Sequence, residues 1–95
     1  MIVSFRHKGL RAFFETDSKK GIQPAHAEKL QERLTVLNII RKETDIPRNV
    51  AIAWKLHPLR GELKDHFSIS VSGNWRITFT FEDEDVALVD YQDYH

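Results

Sequence analysis

Residues 73–81 read G-N-W-R-I-T-F-T-F, and residues 89–95 read V-D-Y-Q-D-Y-H. In the first stretch Trp75, Ile77, Phe79 and Phe81 alternate with Arg76, Thr78, Thr80 and Glu82. Period-two alternation marks a strand with one face buried and the other open. The open face carries an arginine and a row of hydroxyls, a polar surface suited to a ligand. One upstream stretch belongs with it: K-L-H-P-L-R-G, residues 55–61. The tail Asp93-Tyr94-His95 adds three groups able to move protons or contact phosphate.

The neighbouring residues continue the sheet. Phe67, Ile69 and Val71 alternate with Ser68, Ser70 and Ser72, a half-buried strand. Ser72-Gly73-Asn74 reads as a hairpin turn, since Gly and Asn tolerate positive φ. After the acidic turn 82–85, Val86 to Tyr91 is apolar without alternation, as in a central strand buried on both faces. Ala53 to Leu56 reads as another strand, with Trp54 and Leu56 on one face and Lys55 and His57 on the other. Pro58 stops it. Arg60 to Asp65 is a polar loop.

The first half is helical after a short strand, Ile2 to Phe5. Leu10, Phe13 and Phe14 fall at i, i+3, i+4 and predict a helix over 7–17. Gly9 weakens its first turn, and Gly21 is read as its left-handed stop. Pro24 opens a second helix over 24–42, whose stripe is Ala27, Leu30, Leu34, Leu37 and Ile40. Glu28, Lys29, Gln31, Glu32 and Arg33 form its solvated face. Pro47 breaks the pattern, with a short helical turn at 45–49. The predicted order is β-α-α-β-β-β-β. This is an α+β class, with two helices packed on one face of a mostly antiparallel sheet. The 95 residues make a single domain, 1–95.

Composition narrows the function. With no cysteine, neither a disulfide framework nor a thiolate metal site is possible. His7, His26, His57, His66 and His95 lack metal-ligand spacing, so no metal is expected. There is no glycine-rich phosphate loop, no G-x-S-x-G and no thiol nucleophile. No signal-peptide core or membrane-length apolar run is present, and a cytoplasmic protein is expected. Net charge is zero, yet residues 1–60 hold 12 Lys and Arg against 6 Asp and Glu, and residues 61–95 hold 2 against 8. A basic first part suits RNA or an acidic protein; ordinary solvated surface is the equal alternative.

Period two puts Lys55, His57, Ser68, Ser70, Arg76 and Thr78 on one face. Arg offers a fork, Lys a point charge, and His a proton exchanged near neutral pH. RNA cleavage by the substrate's own 2′-hydroxyl needs such parts: a base, a cation for the charged phosphorus, and an acid for the leaving 5′ oxygen. Plainer roles stand beside these. His57 fits a strand end, Arg76 a cross-strand ion pair, Tyr91 and Tyr94 packing, and Asp93 and His95 a solvated tail.

Taken in order, I-V-S-F-R-H-K-G-L with F-F-E, K-L-H-P-L-R-G, S-I-S-V with N-W-R-I-T-F, and Y-Q-D-Y-H resemble the HigB-type toxins of the RelE/ParE superfamily, over nearly the whole chain. The resemblance implies the toxin half of a type II toxin–antitoxin pair. It implies a ribosome-dependent endoribonuclease that cuts mRNA in the A site without a cofactor, leaving a 2′,3′-cyclic phosphate and a 5′-hydroxyl. Carried over by motif, His57, Asp93, Tyr94 and His95 are catalytic and Arg76 holds the scissile phosphate. Either histidine serves as base or acid. Asp93 orients a histidine or contacts ribose, and Tyr94 stacks on a base or contacts phosphate. Lys55 and Arg60 flank the site. Arg6, Lys8, Arg11, Lys19 and Lys20 grip ribosomal RNA. Arg60 stands where such toxins often have Lys, which keeps the charge but not the geometry. The implied partners are a HigA-type helix-turn-helix antitoxin, the 70S ribosome with its 16S rRNA, and mRNA. Operator DNA is reached only through the antitoxin, which docks on the helical side or the first strand. No membrane partner is implied, and the free toxin is expected to be a monomer. Two rivals share the outline: a ParE-like gyrase inhibitor, and an inactive toxin fold kept as co-repressor.

Overall fold

The computed structural model describes residues 1–94. Helices α1 (Lys8–Thr16), α2 (Ala27–Leu37) and α3 (Arg48–Ala53) precede strands β1 (His57–Pro58), β2 (Phe67–Ser72), β3 (Trp75–Glu82) and β4 (Asp85–Asp93). The strands form an antiparallel meander in the order β1-β2-β3-β4. The α+β class, the meander and the hairpin at Gly73 (φ 56°) are as expected.

The first residues are less than a full strand. They run parallel to β4 through bridges at Ile2–Val86 and Phe5–Val89, which places β4 between them and β3. The V-A-L-V run has a different cause from the one predicted. Leu88 adopts φ 54° where the β3–β4 register shifts. The extra residue turns both Val86 and Val89 into the core. The displaced Leu88 N–H donates to Ser4 Oγ at 2.8 Å, so the bulge leaves no orphan donor.

Helix α1 starts at an unusual cap: His7 Nδ1 accepts from Leu10 N–H at 2.9 Å. It ends at Asp17, the left-handed residue (φ 62°), whose N–H returns to Phe13 O. Gly21 is therefore not the stop. Its backbone instead crosses that of Gly9, and a Cβ on either glycine would overlap the other's main chain. Ala normally gains about 1 kcal/mol over Gly inside a helix. Here the overlap with rigid backbone wins, because overpacking costs about 1–3 kcal/mol. Gly9→Ala is expected to lower the thermal midpoint; an unchanged or raised midpoint in a melting curve would contradict the crossing.

Helix α2 is shorter than predicted. A 3-10 turn at Pro24–His26 leads in, and the α-helix ends at Leu37. Asn38 caps it, and its Oδ1 takes the N–H of Ile2 at 2.9 Å, which ties the helix end to the first segment. Ile40 still joins the core, beyond the helix. Arg33 is not solvated: it is 7% exposed. Its Nε donates to Ser70 O at 2.8 Å and its guanidinium lies 4.6 Å from the Trp54 ring centre. Ser70 N–H in turn donates to Trp54 O at 2.7 Å. One buried arginine thus joins α2, β2 and the end of α3.

The largest departure is at 53–56, read as a strand: Ala53 ends helix α3, Trp54 caps it, and only His57–Pro58 form β1. The short helical turn read at 45–49 overlaps the start of a helix that runs Arg48–Ala53. Pro47 supplies the fixed φ of a helix start, and Val50, Ala51 and Trp54 pack against the core at helical spacing. The helix closes when Leu56 N–H donates to Ala51 O (2.9 Å) and Lys55 N–H to Ile52 O (3.1 Å), with Lys55 left-handed at φ 54°. Those two bonds define a Schellman stop. The same turn presents the Lys55 carbonyl to the next residues.

The helices cover the sheet face that carries Trp75, Ile77 and Tyr91. There the His26 imidazole meets the Tyr91 hydroxyl at 2.7 Å, and Trp75 lies 5.6 Å from it, ring centre to ring centre. Burial, and next the Lys29 charge, hold His26 below its ordinary value. The folded protein therefore resists a proton that the unfolded chain accepts near pH ~6.5. Stability present above that pH falls as pH drops through the lower folded value. His26→Gln is expected to flatten the loss of thermal midpoint between pH about 7 and about 5.5; equal slopes in both proteins would remove His26 as the cause.

Candidate active site

The register of the meander builds the opposite face. His57 pairs with Ser68, Ser68 with Thr78 and Ser70 with Arg76. Thr78 then pairs with Asp90, and Arg76 with Gln92. Directly opposed residues share a face. Two polar rows result: His57–Ser68–Thr78–Asp90 and Ser70–Arg76–Gln92. Between them lies a cavity of about 110 Å³ lined by His57, Leu59, Ser68, Arg76, Thr78 and Tyr94. A larger hollow, about 200 Å³, lies between the first segment and α1. Its cation, Arg11, is occupied by Glu15 at 3.3 Å, so the smaller cavity holds the better chemistry.

His57 is exposed on β1, and its Nδ1 sits 2.8 Å from Lys55 O. A carbonyl only accepts, so Nδ1 carries the hydrogen and Nε2 keeps its lone pair. The Schellman turn that ends α3 thus selects the tautomer able to take a proton.

Arg76 stands half-buried between Ser70 and Gln92, neither of them acidic. The cross-strand ion pair is not what occupies it. Its Nη1 is buried without a hydrogen-bond partner among the described residues. Its guanidinium lies 5.8 Å from the centre of the Tyr94 ring, within cation–π range. Tyr94 is held there by its own N–H, which donates to Asn74 O at 2.8 Å. Asp90 is engaged already: its oxygens accept from Tyr91 N–H (2.9 Å) and Gln92 Nε2 (3.1 Å).

The fold therefore gathers His57, Arg76 and Tyr94, which lie far apart in sequence. It does not bring Asp93 into the same lining. Asp93 pairs with Trp75, the register position of the helix-covered face. His95 lies outside the described residues. Lys55 and Arg60 are exposed at either end of the His57 segment. Lys55 was placed on a strand face; it is the left-handed residue after α3, and its carbonyl rather than its ammonium meets His57. Arg6, Lys8, Arg11, Lys19 and Lys20 belong to the first segment, to α1 and to the loop after it, exposed on the helical side of the sheet. Tyr91 packs under the helices, as its plainer reading held. Leu59, Asp90 and Gln92 were not singled out from sequence. Counting back by twos from Tyr94 would have found the last two.

A two-layer α+β fold that gathers an oriented imidazole and a half-buried arginine on the sheet face away from its helices is what the chain brings to comparison with known proteins. The family model described as "RelE-like toxin of type II toxin-antitoxin system HigB" matches residues 3–95, so the chain belongs to the HigB-like toxin family. Among curated proteins, Endoribonuclease HigB of Proteus vulgaris is 37% identical over 95 residues, covering the whole of both chains.

Proposed function

We propose that the protein is an endoribonuclease toxin that cuts mRNA in the ribosomal A site and so stops translation in the cytoplasm. One observation carries this reading: His57 and Tyr94 line the same cavity as Arg76, whose Nη1 is buried with no hydrogen-bond partner among the described residues. The name of the Proteus vulgaris relative supports the activity. His57 Nε2 takes the proton of the 2′-hydroxyl, which attacks the adjacent phosphorus. Arg76 stabilises the charge that gathers on the phosphoryl oxygens. The bond to O5′ breaks, and the tail, through Tyr94 or His95, returns a proton to it. The products are a 2′,3′-cyclic phosphate and a 5′-hydroxyl. Tyr94 offers a ring on which a base stacks. Asp93, on the other face's register, acts on His95 rather than on the phosphate.

The two faces divide the work. The sheet face away from the helices, with Lys55 and Arg60 exposed at the ends of the His57 segment, receives mRNA, and the basic residues of the helical layer meet ribosomal RNA phosphates. A HigA-type antitoxin would hold the protein inactive until it is lost. The test is expression without antitoxin, with transcriptome-wide mapping of mRNA 5′ ends. In-frame cuts inside codons are expected. Growth arrest with DNA damage and intact mRNA would instead indicate a gyrase inhibitor, and absence of arrest an inactive co-repressor.

A further inference from the structure

Ser68 is fully buried, and its hydroxyl has no hydrogen-bond partner among the described residues. A buried polar atom left this way is uncommon in a native fold and calls for a reason. It lines the same cavity as Arg76, whose Nη1 is likewise buried and unpartnered. The register puts Ser68 in one row with His57 and Thr78, beside the row of Arg76. Two donors with no acceptor among the described residues lie closed off from solvent in residues that line one space of about 110 Å³, more than the ~30 Å³ share of a single water. The nearest carboxylate in that row, Asp90, is turned to Tyr91 and Gln92. What completes such a pair is a ligand rich in acceptors and negative in charge.

We propose that Ser68 Oγ and Arg76 Nη1 form the floor of a phosphate-binding site, in which Ser68 donates to a non-bridging oxygen of the scissile phosphate. This deepens the nuclease reading and rests on it for the identity of the phosphate. The free protein carries the orphan hydroxyl as a stability cost, which the bound phosphate removes. Function and stability then pull in opposite directions at this position. Removing the hydroxyl takes away an unsatisfied group, so Ser68→Ala holds or raises the thermal midpoint while it weakens phosphate binding. A serine that merely packs would show neither effect.

The experiment titrates the full-length protein with inorganic phosphate at constant ionic strength. It follows backbone amide and arginine Nε–H resonances by NMR. Saturable shifts are expected at 68 and 76, with an apparent affinity about 5- to 10-fold weaker in Ser68→Ala. Cleavage by the same proteins on programmed ribosomes is measured alongside. Shifts confined to the basic residues of the helical layer, or equal affinity in wild type and Ser68→Ala, would overturn the site. If the wild type cleaves and Ser68→Ala both binds phosphate and cleaves as it does, the Ser68 assignment falls and the nuclease reading survives. If the wild type does not cleave, yet phosphate still binds at 68 and 76 and weakens in Ser68→Ala, the nuclease reading falls and the site stands.

Discussion

Replacing His57 with alanine is expected to slow A-site mRNA cleavage by about 10²- to 10⁴-fold, the usual worth of a positioned general base. The physical reason lies in the imidazole's two nitrogens. Lys55 O holds Nδ1–H at 2.8 Å, so the other nitrogen is left as the proton acceptor. Alanine removes that acceptor without disturbing the core, because His57 is exposed on a two-residue strand. The thermal midpoint should therefore stay close to wild type, as for surface substitutions generally. The measurement is single-turnover cleavage on ribosomes carrying a defined codon, read by primer extension. Cleavage within a few-fold of wild type by a folded His57→Ala protein would remove the base from the mechanism.

The second large effect is at Arg76. Arg76→Met is expected to cost about 10²- to 10³-fold in rate, the range found when one preorganised donor to a developing oxyanion is lost. Arg76→Lys should recover only part of it. A lysine keeps the charge but cannot present two parallel N–H groups to a phosphoryl oxygen pair. Stability should not follow activity here. The guanidinium has a buried nitrogen with no hydrogen-bond partner among the described residues, so methionine relieves an unsatisfied group and keeps much of the contact with Tyr94. A rate loss matched by a comparable fall in thermal midpoint would mean that Arg76 serves the fold. Full activity in Arg76→Met would mean that another group holds the phosphate.

The parts that could be read from sequence were those where one residue's neighbours decide its state. The alternation at Phe67–Val71 and Trp75–Phe81 survives folding because each strand pairs with the next through a short turn, Gly73 and Asp83 supplying positive φ. The helical stripe Leu30, Leu34, Leu37 is buried as read. Misreadings cluster where a distant contact overrode the local pattern. Residues 53–56 look like a strand by alternation, yet they finish and cap helix α3, with Trp54 beneath Arg33 of α2. Arg33 looks like surface, yet Ser70 O and the Trp54 face give its charge partners inside. Gly21 looks like a helix stop, yet its role is to let the chain pass Gly9.

The site divides in the same way. Its residue types, and the family that they resemble, were decided by the order of residues along the chain: a histidine before proline, an arginine inside an alternating strand, a Q-D-Y-H ending. Alternation already put His57, Ser68 and Arg76 on one face. Only the tertiary structure could choose the tautomer of His57, set Arg76 between Ser70 and Gln92, bury the hydroxyl of Ser68, and set Asp93 across from Trp75 rather than beside the imidazole. Those outcomes depend on register, and register depends on bulges at Val71 and Leu88 and on a helix stop at Lys55. Each is a one-residue choice of backbone conformation that packing makes between distant segments, and one residue is enough to send a side chain to the other face.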